Sequence, residues 1–235
     1  MDAYIGTSGF SYKEWIGSFY PEKLPAKQML KYYAERFLTV EANNTFYRMP
    51  TKAALAAWLP QVGERFVFSV KAPQRITHFA RLKPESFETL AFFLDVTSVL
   101  GKALGPLLFQ LPPNLKKDAH RLAAFLAQLP RENRSAFEFR HTSWFDDEIF
   151  ALLASHNASL VVSESETLEA PLQKTADWIY LRLRRQDYTT ADLEKWSIRL
   201  TDLDLATAFI YFKHEDAGSG PRLAAELTEI LKRSH

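Results

Sequence analysis

Cysteine is missing from all 235 residues. That excludes disulfides, thiolate metal sites and a cysteine nucleophile, and it fits a reducing, cytoplasmic setting. Net charge is nearly missing as well: 29 Lys and Arg stand against 28 Asp and Glu, giving +1 at neutral pH. No overall field therefore draws the chain to nucleic acid or an anionic membrane, and any such affinity has to be local. Long apolar runs are absent too. The longest apolar-leaning stretch, TLAFFLDVTSVLG, is broken by Asp95 and falls far short of a bilayer span, so no membrane partner is expected. The start, MDAYIGTSGF, enters strand-like sequence without a basic-then-apolar leader, so secretion is not expected. There is no GxSxG elbow, Walker loop, Rossmann fingerprint or HExxH pair, which leaves serine-hydrolase and P-loop readings without support. No cofactor and no bound transition metal are expected.

What is present is a rhythm. Short runs rich in β-branched and aromatic residues recur at AYIGTSG, LTVEANN, RFVFSVKA, GPLLFQLP, SAFEFRH, ASLVVSE, WIYLRLR and TAFIYFK. Most intervals hold amphipathic helical sequence, such as KQMLKYYAERF, ESFETLAFFLDVTSVLGKAL, DAHRLAAFLAQL and GPRLAAELTEILKR. With 47% hydrophobic residues the chain can bury one large core. Eight strands alternating with helices, without a linker-like or low-complexity stretch, predict an α/β protein, a TIM-type (β/α)8 barrel, as a single domain over 1–235. Nothing in the sequence fixes an oligomeric state.

Parity along these strands predicts where the polar residues go. In AFEFRHTSW, Phe137 and Phe139 oppose Glu138 and Arg140. In a barrel, helices cover one face of each strand, so the charges go inward or to a rim. Ser69 and Lys71, then Tyr180, Arg182 and Arg184, then Tyr211 and Lys213 repeat the pattern toward the strands' C-terminal ends, where Glu41, Asn43, Gln110 and Glu164 also fall. That end is where barrel enzymes build their sites. A closed Glu–Arg network that only rigidifies the barrel is the competing reading. The bases named (Lys71, Arg140, Arg182, Arg184, Lys213) outnumber the acids (Glu41, Glu138, Glu164), which favours a pocket.

The loops add candidates. GTSGFSYKEW offers Ser8, Tyr12 and the flat ring of Trp15; EANNTFYRMP offers Asn43, Asn44 and Tyr47, with one asparagine read as a turn former. His78, His141 and His214 follow strands three, five and eight without metal-ligand spacing. In HEDAGSGPRLAAEL, Gly218, Ser219 and Gly220 precede the final helix and could offer backbone amides to an anion opposite Arg184 and Lys213.

Taken in order, GTSGFSYKEW, VEANNTFYRMP, FSVKAPQRITH, LLFQLPP, FEFRHTSW and YFKHEDAGSGPRLA resemble the YecE-like proteins, domain-of-unknown-function family 72, from Gly6 nearly to the C-terminus. The resemblance implies a TIM-type barrel whose mouth these blocks line, with Glu41, Asn43, Tyr47, Lys71, Gln110, Glu138, Arg140, His141 and Trp144 as pocket residues. It implies no particular substrate. The chain departs from it at Lys213 and His214, where many members carry an asparagine pair.

The expected function is an enzyme, its class open among hydrolase, lyase and isomerase, acting on a small anionic, phosphorylated or carboxylated, sugar-like ligand. Glu138 is read as general acid or base, with its pKa lowered by Arg140 and Arg182, and Glu41, Lys71, Arg140 and Arg182 as its catalytic company. Trp144 is read as a stacking surface. The alternatives are a nucleic-acid binder or metal-assisted phosphodiesterase, which the near-neutral charge disfavours, and a noncatalytic metabolite-binding protein.

Overall fold

A computed structural model describes residues 1–164, 170–213 and 218–233. The eight predicted runs form β1 (Asp2–Thr7), β2 (Thr39–Ala42), β3 (Val67–Lys71), β4 (Leu104–Gln110), β5 (Ser135–Glu138), β6 (Ser159–Glu164), β7 (Trp178–Leu183) and β8 (Thr207–Phe212). They make one parallel sheet in the order β1-β8-β7-β6-β5-β4-β3-β2. The two ends of that order meet through a bridge between Ser8 and Glu41, so the sheet is a nearly closed barrel.

Helices between the strands are α1 (Met29–Ala34), α2 (Asn44–Tyr47), α3 (Lys52–Ala56), α4 (Phe87–Thr97), α5 (Ala119–Leu126), α6 (Asp147–Ser155), α7 (Thr190–Thr201) and α8 (Ser219–Arg233). Several starts are capped by short polar side chains: Thr51 accepts from Ala54 N–H, Asp118 from Arg121 N–H, and Thr189 and Asp192 form a capping box. The long helix predicted over 85–104 stops at Thr97, because Gly101 at φ 51° breaks the following 3₁₀ turn before β4 begins. Among the described residues, the β6–β7 connection carries no helix, and no helix is long and apolar enough to cross a membrane.

The outward faces of the strands pack against the helices. Phe66, Phe68, Val70, Phe109, Phe137, Leu181 and Phe212 all lie in this outer core. A smaller inner cluster fills the barrel with Leu108, Ala136, Val161, Trp178, Tyr180, Phe209 and Tyr211, and Tyr4 stacks on Phe209 at 5.1 Å. The interior is therefore graded from aromatic at the strands' N-terminal ends to charged at their C-terminal ends. Midway, the Tyr211 hydroxyl bonds Thr39 Oγ1 at 2.7 Å and Ser69 Oγ at 2.6 Å.

At the β1–β2 seam a side chain replaces the ladder. The Tyr33 hydroxyl of α1 accepts from Thr7 N–H at 2.8 Å and donates to the Thr39 carbonyl at 3.0 Å. Gly6 makes this approach possible, since a Cβ there would run into the Thr39 carbonyl oxygen and lie 2.8 Å from the Tyr33 hydroxyl.

Candidate functional site

Period-two alternation sends Glu41, Lys71, Gln110, Glu138 and Arg182 to one layer at the C-terminal end of the barrel. Arg182 sits at the centre, 1% exposed. One of its terminal nitrogens meets Glu138 Oε2 at 2.6 Å and the other meets Glu41 Oε1 at 2.8 Å. Arg140 approaches the second oxygen of Glu138 at 2.7 Å, and Arg184 lies 3.5 Å from it. Glu41 also accepts from the Ser8 hydroxyl and, at 2.7 Å, from Tyr180. Asn43 donates to Ser8 Oγ at 2.6 Å.

This pairing sets the charge states. Burial alone would raise the pKa of Glu41, but Arg182, with hydrogen bonds from Ser8 and Tyr180, outweighs it and holds the carboxyl below its ordinary value. Glu138 is lowered in the same way, burial being overcome by Arg182, Arg140 and Lys71. Burial would deprotonate Arg182, and the two glutamates hold its proton instead. Burial and the neighbouring Glu41 push the Tyr180 hydroxyl well up, so it stays a donor.

Above this layer opens a cavity of about 380 Å³. Among the described residues its walls carry four cations, Lys71, Arg182, Arg184 and Lys213, and no carboxylate. Asn43, Asn44, Gln110, Tyr12 and Tyr47 supply neutral polar groups, and Phe46 and His78 supply ring faces. Lys71 donates to Gln110 Oε1 and lies 4.2 Å from the centre of the Phe46 ring. Burial is the main cause that lowers the His78 pKa, with the charges of Lys71, Arg140 and Arg81 adding to it. The buried Nε–H groups of Arg140, Arg182 and Arg184 find no acceptor among the described residues.

Several expectations are corrected here. Glu138 and Glu41, expected to face the ligand, are instead fully buried beneath the cavity with guanidinium groups on their oxygens, and they hold those arginines in place. Trp15 is wholly buried among Tyr12, Phe19 and Tyr20 and is core. Trp144 is likewise spent on packing: it stacks on Phe139 at 4.6 Å and donates to the Leu115 carbonyl at 2.7 Å. Glu164 has outward parity and bonds Tyr188 and, at 3.4 Å, Trp196 on the helix side. His141 caps the turn at 142–144, its Nδ1 accepting from Ser143 N–H at 3.1 Å. Gly218, Ser219 and Gly220 are absent from the cavity walls; Gly218 instead lies against Ser18 and Phe19. His214 falls outside the described residues. No group of three or more His, Asp or Glu among the described residues is arranged to hold a metal. Phe46, which closes over Lys71, had no signal in the sequence, whereas the inward face of Tyr180 follows from the parity it shares with Arg182.

Fold and site together define a (β/α)8-barrel protein with a cationic cavity at the C-terminal mouth, seated on buried ion pairs. The chain belongs to the DUF72 family: the family's sequence model, described as "Protein of unknown function DUF72", matches residues 4–235. It is 30% identical over 156 residues to the UPF0759 protein YunF of Bacillus subtilis (strain 168), covering 63% of this chain and 54% of that one. The match thus spans about half the length of that curated relative. A crystal structure of a DUF72 family protein from Thermotoga maritima covers 99% of this chain and 100% of its own at TM-score 0.83 and 26% identity. One from Enterococcus faecalis, at 18% identity, shares the fold at TM-score 0.81, covering 98% of this chain and 95% of its own.

Proposed function

We propose that this protein is a cytoplasmic enzyme acting on a small anionic molecule, phosphorylated or carboxylated and sugar-like, held at the barrel mouth. The observation that carries this reading is the cavity wall, with four cations and no carboxylate among the described residues. An electropositive, partly desolvated cavity gains most from a ligand that brings its own negative charge. Its volume, about 380 Å³, suits a compact metabolite. Arg184 and Lys213 meet the anion, and the buried glutamates keep Arg182 and its neighbouring guanidinium groups aligned beneath it before it arrives, which lowers the ordering cost of binding. Asn43, Gln110 and Tyr47 meet the ligand's hydroxyls. The absence of cysteine suits the compartment.

Calorimetric titration with inorganic phosphate, sulfate and a sugar phosphate tests the reading. Arg184→Ala is expected to weaken binding by about 1.5 to 3 kcal/mol, the range for hydrogen bonds to charged groups. Added salt is expected to weaken it further. Equal binding by wild type and variant would sink the reading, and tighter binding of a single-stranded oligonucleotide than of any small anion would replace it.

A further inference from the structure

Lys71 differs from the arginines around the mouth in its partners and from the exposed Lys213 in its burial. Arg140, Arg182 and Arg184 each lie within 3.5 Å of Glu138 or Glu41, whereas no carboxylate of the described residues comes within 4.0 Å of the Lys71 amine. The amine rests on a neutral amide oxygen, that of Gln110, and on the Phe46 ring. It is 9% exposed and forms part of the cavity wall. A lysine serving only as an anion clamp has no need of this seclusion. Such surroundings, apolar on one side and cationic on the other, favour the uncharged amine, which is a nucleophile.

We infer that Lys71 is an amine nucleophile that forms an imine with the carbonyl carbon of a small anionic substrate, a phosphorylated aldehyde or ketone or a 2-oxo acid. The inference rests on the reading of the mouth as an anion site. In the step, the amine lone pair forms a C–N bond while the C=O π pair moves to oxygen, which takes a proton as the nitrogen gives one up. Loss of that oxygen as water, with a second proton, leaves C=N. Amine plus carbonyl gives imine plus water, with no oxidant or reductant. A protonated imine among Arg182, Arg184 and Lys213 is tolerable only if the substrate carries negative charge, so the chemistry of Lys71 and the charge of the wall select the same compound.

The charged groups facing Lys71 act together on its protonation. Burial lowers the pKa most, Arg182 and Lys213 lower it further, Glu41 and Glu138 oppose them, and the result is pushed down to about 8. At neutral pH that leaves roughly three hundredfold more free amine than on an ordinary lysine.

The full chain, incubated near pH 8 with dihydroxyacetone phosphate or glyoxylate and sodium cyanoborohydride, fixes any imine as a stable amine that peptide mass mapping locates. Lys71 is expected to label at least about tenfold faster than the exposed Lys13 and Lys23, because more of it is unprotonated. Inorganic phosphate is expected to slow that labelling, and uncharged dihydroxyacetone to show no preference for Lys71. Lys71→Arg is expected to abolish the label at position 71. The wild-type map decides even if the variant does not fold. An unlabelled Lys71 in a protein that binds phosphate overturns the nucleophile and leaves the anion site standing. No phosphate binding overturns the anion site itself. Equal labelling of Lys71 by charged and uncharged carbonyls overturns the substrate class.

Discussion

Arg182 joins two carboxylates that would otherwise face each other across a dry interior. With the guanidinium in place, both glutamates are ionised and hydrogen-bonded. Without it, two buried charges lose their main partner, and breaking a buried pair by removing one member costs about 3 to 5 kcal/mol. Arg182→Ala is therefore expected to lose about that much stability at neutral pH in urea denaturation. The loss is expected to shrink in acid, because the stranded carboxylates have raised pKa values and become neutral first. A loss below about 1 kcal/mol at neutral pH would show that the arginine is spectator rather than keystone. That Arg182 points inward was legible in the sequence, since Ile179, Leu181 and Leu183 leave it no other face. Its nearness to Glu138 was legible as well, from the shared parity, whereas its bond to Glu41 was not. Glu164 sits at the end of its strand just as Glu138 does, but it follows Leu160 and Val162 in register and so faces the helices. Parity decides this, and position along the strand does not. Trp144 misled for another reason: a large ring beside a predicted pocket buries far more apolar area against Phe139 than a ligand could offer.

At the scale of elements, all eight strands were legible because each is apolar on its outward face, and the parallel order follows from the helices between them. The seam was not legible. β1 and β2 share one bridge, and below it the connection runs through the hydroxyl of Tyr33, an apparently ordinary core position of α1. Nothing in the periodicity of KQMLKYYAERF separates Tyr33 from a phenylalanine. Tyr33→Phe keeps the ring among Phe37 and Phe66 but strands the Thr7 N–H and loosens the Thr39 carbonyl. Leaving a buried donor unpaired costs about 1 to 3 kcal/mol, so the variant is expected to unfold that much more easily in chemical denaturation. Amide exchange is expected to rise first at Thr7 and its neighbours. Unchanged protection along β1 in the variant would mean that the seam is held by packing alone.

The whole molecule combines these pieces into a pH dependence that separates the cost of the site from the stability of the scaffold. Glu41 and Glu138 have folded pKa values below their ordinary 4.5. Their contribution is present above that value and is lost as pH falls through the folded values. The buried tyrosines Tyr20, Tyr33 and Tyr211 have folded values above their ordinary 10, so they contribute below 10 and lose that contribution as pH climbs toward the folded values. Lys71 runs the other way. Its folded value of about 8 lies under the 10.5 of the unfolded chain, so between the two the unfolded state binds the extra proton and stability rises with pH. Below pH 8 the fold carries a charged lysine it would rather neutralise. Wild type is therefore expected to gain about 2 kcal/mol from neutral pH to about 9.5 relative to Lys71→Met, which lacks the titration. Lys71→Met is expected to be at least as stable as wild type at neutral pH, a substitution that strengthens the scaffold by removing a functional group. Inorganic phosphate, by restoring a negative charge beside the amine, is expected to raise the folded pKa of Lys71 and flatten the wild-type rise. Urea denaturation of both proteins across that range, with and without phosphate, measures all three effects. Parallel curves for the two proteins would show that Lys71 is an ordinary surface cation.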